Sequence, residues 1–254
     1  MLQQTQADRV VGYYDAFLRR FPAPADCARA PSGDVVRIWS GLGYNRRALG
    51  LHRAAAQIVE EHGGKVPAGE ADLRKLPGVG PYTARAVRSL AFEADAAVVD
   101  TNVVRVLARC VHGAGLSLSE AQQVADRLVP AGRSWEFNQT MFDLGALVCT
   151  ASTPACDDCP LRRQCRWRRD GRHAPDPWRA SPSVRSQPPF AGSNRQGRGR
   201  LLHALRAGSL GAELVAGACG WPEDRDRAAR LAGALVDEGF AEWSPGPRPR
   251  LRLR

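Results

Sequence analysis

The stretch that decides the fold is Leu76–Asp100, LPGVGPYTARAVRSLAFEADAAVVD. Leu76 and Val79 are short apolar ends around Pro77 and Gly78, with Gly80 following. Both glycines are free to take φ > 0 and to bring bare backbone N–H groups to a surface. Pro81 then stands where a helix tolerates proline, in its first turn. From there Thr83, Ala84, Ala86, Val87, Leu90 and Ala91 recur at helical spacing. The pattern predicts helix, tight glycine turn, helix. The N–H groups opening the second helix then form an anion site suited to a phosphate oxygen. An ordinary helical hairpin is the competing reading.

The second half ends in Val98, Val99 and Asp100, followed by Thr101, Asn102 and the run VVRVLARC. A carboxylate at the mouth of a helix is read first as an N-cap. Together, however, L-P-G-V-G-x-x-T-A and V-D-x-N-V-x-R-V-L-A-R resemble the helix-hairpin-helix glycosylases of the endonuclease III superfamily. The MutY-type adenine-excising enzymes are the branch they resemble most. The resemblance implies a mainly α fold of two helical lobes with an iron–sulfur loop. It makes Asp100 the essential carboxylate, with Asn102 positioning it, and Gly78, Val79 and Gly80 the phosphate clamp.

Charge is distributed unevenly. The formal net charge of +10 lies almost wholly in residues 160–200, which carry 11 Arg against Asp170 and Asp176. Residues 1–159 balance 17 basic with 17 acidic side chains. A local surplus with Trp167, Trp178 and Phe190 interleaved suits a polyanion-contacting surface, or else a solvated face. No apolar run approaches transmembrane length, and Met1-Leu2-Gln3 is no signal peptide. Seven cysteines without a secretory signal argue against disulfides. Cys27, Cys110 and Cys219 read as buried thiols.

Residues 1–21 read as an amphipathic helix with Val10, Val11, Tyr14, Phe17, Leu18 and Phe21 on its apolar face. Its opening MLQQTQ resembles the family run V-M-L-Q-Q-T, which makes Gln3 and Gln4 candidate DNA contacts. In the family a catalytic Glu stands two residues before this Met, as E-V-M-L-Q-Q-T. Helices over 32–44 and 46–61 follow. GLGYNRRALGLHRAA (41–55) resembles the family's G-L-G-Y-x-x-R-A-x-x-L-H-x-A-A, so Tyr44 matches a tyrosine that wedges into DNA, and Arg46 is a candidate phosphate contact. Tyr82 stands where relatives that nick DNA carry a Schiff-base lysine. The resemblance therefore implies a monofunctional glycosylase with Tyr82 in its catalytic site. Further helices are expected over 116–129 and 134–148. WEFNQTMFDLGALVCT (135–150) resembles the family's F-N-Q-A-M-M-D-L-G-A-x-x-C-T, with Asn138 and Asp143 bracing or capping helices.

Cys149, Cys156, Cys159 and Cys165 give C-x6-C-x2-C-x5-C, bent by Pro154 and Pro160. Four thiolates so close in sequence can converge on one centre, and spacing alone leaves a zinc ion or an iron–sulfur cubane. The resemblance implies one [4Fe–4S] cluster, with Zn the alternative. Arg162, Arg163, Arg166, Arg168 and Arg169 form a basic loop beside it.

The domain expectation is a glycosylase domain over 1–169 with the cluster loop at 149–165, and a basic Pro/Arg-rich linker over 170–192. A small winged-helix-like domain over 193–254 follows, with three helices and two short strands at 240–243 and 251–253. It does not resemble the Nudix-like domain by which many MutY-type enzymes sense 8-oxoguanine.

The resemblance implies removal of adenine opposite guanine or 8-oxoguanine by hydrolysis of the N-glycosidic bond, after the nucleotide flips into a pocket between the lobes. A thymine or uracil mismatch glycosylase is the second reading. A non-catalytic iron–sulfur DNA-binding protein is the third, because the family's Glu precedes Met1. The expected partner is double-stranded DNA with a mispair, met by a monomer with no membrane role. The expected location is the cytoplasm, at the nucleoid. The reading frame upstream of Met1 is expected to supply an in-frame Glu-Val. A stop codon before any Glu-Val contradicts that expectation.

Overall fold

The computed structural model describes residues 1–254 except 3, 4, 6, 170, 172–174 and 183–188. The described chain is mainly helical, with one small antiparallel sheet. It divides into two compact units that do not follow chain order. The first holds Met1–Pro67, Leu76–Gly78 and Pro188–Arg254, and the second Ala68–Lys75 and Val79–Gln187. Among the described residues no helix is long and apolar enough to cross a membrane.

In the first unit α1 (Ala7–Arg20), α2 (Pro24–Arg29), α3 (Ser32–Ile38) and α4 (Arg46–His62) precede the glycine turn. Helix α1 begins later than its apolar pattern suggested. Helix α2 was hidden by its two prolines; Pro24 opens it, in the first turn where a missing N–H costs nothing. Helix α3 stops at Ile38, short of the expected Tyr44, because Gly41 and Gly43 turn the chain with positive φ.

The second unit starts with α5 (Glu70–Leu73) and α6 (Pro81–Ala91), then α7 (Thr101–Leu107), α8 (Leu118–Leu128), α9 (Ser134–Asp143) and α10 (Arg166–Arg169). Widened turns at Ala108–His112 and Leu144–Val148 prolong α7 and α9. Its core is α7 itself: Val103, Val104, Val106 and Leu107 are all buried, wrapped by Leu116, Ala121, Ala125, Met141 and Leu144. Ser117 and Glu120 close a capping box that starts α8. Part of the Pro/Arg-rich stretch is ordered on this unit: Pro177–Ala180 forms a 3-10 turn, and Ser181 is buried and accepts from the Leu116 N–H at 3.2 Å.

The remaining elements return to the first unit: α11 (Asn194–Ala207), β1 (Leu210–Gly211), α12 (Val215–Cys219), α13 (Arg225–Asp237), β2 (Ala241–Trp243) and β3 (Arg250–Leu253). Three helices with an antiparallel sheet in the order β1-β3-β2 make the winged-helix-like arrangement, with one more strand than the two expected. Leu201, Leu202, Leu205, Leu235, Phe240 and Leu251 pack into the same core as Val35, Val36, Trp39 and Leu49. The N-terminal helices and the C-terminal elements thus bury their apolar faces against each other.

Glu238, just after α13, fastens this arrangement. It takes paired hydrogen bonds from Arg46 (2.8 and 2.8 Å) and from Arg198 (2.8 and 2.7 Å). Hydrogen bonding from Arg46, then Arg198, holds its carboxyl down to about 2, against an ordinary value of 4.5. A depressed carboxyl contributes stability above its ordinary value that is lost as pH falls through the folded one. Glu238→Gln is therefore expected to lower thermal stability by about 1–2 kcal/mol at neutral pH. The gap from the unsubstituted protein should close between pH 4.5 and about 2. A gap that does not change over that interval contradicts the pairing.

Candidate functional site

At the glycine turn Gly78 takes φ +81°, and a Cβ there would come within 3.4 Å of the Gly50 Cα on α4. Two glycines in contact let the turn lie directly on the helix. Gly80 differs from the expectation of a second left-handed glycine. It is extended (φ −86°, ψ 178°) and acts as N-cap of α6, because Pro81 behind it starts the helix. Gly80 has no side chain with which to cap α6, and among the described residues nothing lies within 4 Å of a Cβ built on it. Among the described residues the opening of this 11-residue helix is sterically open at Gly80, as a backbone anion site requires.

Asp100 caps α7. Its Oδ1 accepts from the Val103 N–H at 2.8 Å and its Oδ2 from Asn102 Nδ2 at 3.1 Å. Tyr82 is near enough for the Asp100 charge, after burial, to hold its phenol above the usual range. Asn102 and Asp100 are thus in direct contact, and Tyr82 lies in the same unit within range of the Asp100 charge. The chain leading to Asp100 is fixed by Asn138, which is fully buried. Its Oδ1 accepts from the Val98 N–H at 2.8 Å, and its Nδ2 donates to the Ala96 and Ser134 carbonyls at 2.8 and 2.9 Å. Asn138 thereby supplies the backbone pairing that a strand partner would otherwise give.

Arg105 ties this carboxylate to the cysteine loop. Only 5% exposed, it donates to Asn102 Oδ1 at 2.9 Å, to the Gly145 carbonyl at 2.6 Å and to the Cys149 carbonyl at 2.6 Å. The indole of Trp178 lies 5.4 Å from its guanidinium. Gly145 must be glycine for this approach, since a Cβ would stand 2.9 Å from the Asn102 Cβ. One turn on, Arg109 is 1% exposed and donates to both Asp176 oxygens at 2.9 and 2.6 Å. It also donates to the Thr150 carbonyl at 2.7 Å and approaches Cys149 Sγ at 3.5 Å. A buried guanidinium with every edge occupied is a brace for the loop, and such a cation is tolerated only when paired.

Cys149, Cys156, Cys159 and Cys165 all line one cavity beside Val106, Leu144, Leu161 and Trp167, and none is in a disulfide. Among the described residues no three His, Cys, Asp or Glu side chains gather closely enough to hold a single metal ion. Cys110 lines the cavity too and is half-buried, which its reading as one of three buried thiols did not foresee. Contact with the Cys110 thiol holds the Cys165 thiol below the usual range. Of the basic loop, Arg168 is tied to the Cys156 carbonyl at 2.7 Å and to Asp157 at 2.9 Å. Arg162, Arg163, Arg166 and Arg169 are exposed.

In the first unit Tyr44 is 57% exposed and sits at φ +46°, a left-handed conformation that an aromatic residue rarely adopts. Such strain persists where surrounding structure imposes it, and it concentrates at binding positions. Here Arg47 imposes it, donating to the Leu42 and Gly43 carbonyls at 3.2 and 3.3 Å, with its guanidinium 5.7 Å from the Tyr44 ring. Arg46 is engaged by Glu238, although its side chain remains 77% exposed. Gln3 and Gln4 lie outside the described residues.

The chain matches the model of the HhH-GPD superfamily base excision DNA repair proteins over residues 1–130 and belongs to that family. It is 39% identical over 251 residues to the adenine DNA glycosylase of Mycolicibacterium smegmatis, covering 98% of this chain and 83% of that protein. Identity to the adenine DNA glycosylase of Mycobacterium tuberculosis is 44% over 247 residues, 93% of this chain and 79% of that one. Among solved structures it is similar to a thermostable thymine-DNA glycosylase, with a TM-score of 0.61 and 30% identity over 66% of this chain and 80% of that one.

Arg105→Gln removes the donors to two buried carbonyls and to Asn102. The expected cost is about 2–4 kcal/mol, read from urea unfolding, because the acceptors stay buried without partners. A loss below about 0.5 kcal/mol, the level of an ordinary surface substitution, contradicts the hub.

Proposed function

We propose that this chain removes adenine from mispaired double-stranded DNA by hydrolysing its N-glycosidic bond, as a base excision repair glycosylase. The observation that carries the reading is the likeness to the two mycobacterial adenine DNA glycosylases, along 98% and 93% of the chain. The likeness to a thymine-DNA glycosylase extends over only 66%.

In this reading the open start of α6 takes a backbone phosphate, and Tyr44 stacks where the target nucleotide leaves the helix. The Asp100 carboxylate stabilises the cationic sugar as the base departs and orients the attacking water, which overall gives its hydroxyl to the sugar C1′ and its proton to the departing adenine. Asn102 and the Val103 N–H hold both of its oxygens, so its charge is fixed in position before reaction. Tyr82 offers no amine for a Schiff base, which leaves water as the nucleophile.

The four cysteines hold a [4Fe–4S] cluster in this reading. Four soft thiolates lining one shared cavity fit a cubane, with one tetrahedral zinc the alternative. When bound, the cluster cross-links the loop that Arg105 and Arg109 hold from the other side.

Duplexes with A·G, A·8-oxoguanine and T·G mispairs test the base. Free adenine is expected from the first two, and release of thymine alone contradicts the proposal. Asp100→Asn should abolish base release with DNA affinity near normal and cost at most ~1–2 kcal/mol of stability as a lost cap. Retained excision in that variant removes Asp100 from the chemistry. The purified protein should absorb broadly near ~400 nm, and Cys159→Ser should lose iron. A colourless protein with one bound zinc overturns the cluster.

A further inference from the structure

The solvent face of the C-terminal sheet carries charge that the glycosylase reading does not use. Along β3 exposure alternates, with Leu251 and Leu253 turned into the core and Arg250 and Arg252 turned out. Arg254 is exposed at the next alternate position, and Arg248 is exposed in the turn between β2 and β3. Two acids are on this face: Glu242, opposite Arg252 in the ladder and 2.7 Å from it, and Glu213, whose carboxylate lies on the outward side of Gly211, the partner of Arg250. Two further arginines adjoin the strand end. The N–H of Gly33, on α3, donates to the Arg254 carbonyl, and Arg37 and Arg20 both pair with Asp34 on the same helix. Among the described residues six arginines thus stand against Asp34, Glu213 and Glu242, a local surplus of three.

Outward side chains on one strand repeat every two residues, about 6.8 Å. That repeat is comparable with successive phosphates along a nucleic-acid strand. Protein interfaces need a buried apolar centre, and both leucines of β3 face inward. Phosphate binding needs only the cations. We propose that this face and its turn bind the phosphate backbone of duplex DNA as a second, sequence-independent contact. The inference rests on the glycosylase reading only for the presence of DNA.

The test titrates the full chain against a labelled duplex without a mispair over a range of salt. Arg248→Gln/Arg254→Gln should weaken binding and flatten the slope of log affinity against log salt by about 1.8, roughly 0.9 per lost contact. Glu242→Gln should tighten binding. If the double variant melts lower than the unsubstituted protein, Arg248→Gln alone carries the test, with an expected change of about 0.9. Unchanged slopes and affinities overturn the proposal and leave the face to an acidic protein partner. Adenine release is followed in parallel. Release that persists while slopes stay unchanged sinks this inference alone. Altered slopes without any adenine release sink the choice of base and leave the inference standing.

Discussion

The buried guanidinium of Arg105 is the interaction on which the candidate site depends. It joins Asn102, which holds Asp100, to the carbonyls of Gly145 and Cys149. A cation this deep in the second unit is stable only with its donors occupied, so the acceptors must come to it. Helix α7, the end of α9 and the first cysteine of the loop are thereby held in one geometry. Arg109 repeats the device one turn later, with Asp176 neutralising its charge and the loop carbonyls of Thr150 and Ala151 taking its remaining donors. The cysteine loop braces the carboxylate, and neither needs a strand or a disulfide to do so.

The first unit solves a different problem, the presentation of an aromatic side chain to solvent. Gly41 and Gly43 turn the chain, and Arg47 holds its carbonyls, so Tyr44 is forced into a left-handed conformation on a rigid support. The shared core beneath it joins α3 and α4 to α11 and β3, and Glu238 pins Arg46 from 192 residues away. The C-terminal elements are therefore part of the platform that carries Tyr44.

What was legible in the sequence was local. The glycine turn, Pro81 at a helix start, Asp100 at a helix mouth and the four-cysteine spacing each lie within a few residues of what they organise. Arg105 and Arg109 were not legible as braces, because a positive charge in sequence reads as surface. The available signal was their place inside the otherwise apolar run VVRVLARC, four residues apart. The Glu238 partner of Arg46 was not legible because it lies so far along the chain. Gly80 read as left-handed because glycine permits that conformation, whereas the proline after it calls only for an extended cap. Helix α2 and β1 escaped because six and two residues are too few to show a period.

The central claim is that the cysteine loop, through Arg105, sets the position of Asp100. Amide hydrogen exchange at Val103, whose N–H is held by the Asp100 carboxylate, tests it most directly in protein with the cysteine loop metal-loaded and after chelation. The account predicts that protection at Val103 falls on chelation while protection in the core of the first unit is unchanged. Equal protection at Val103 in both states would contradict it.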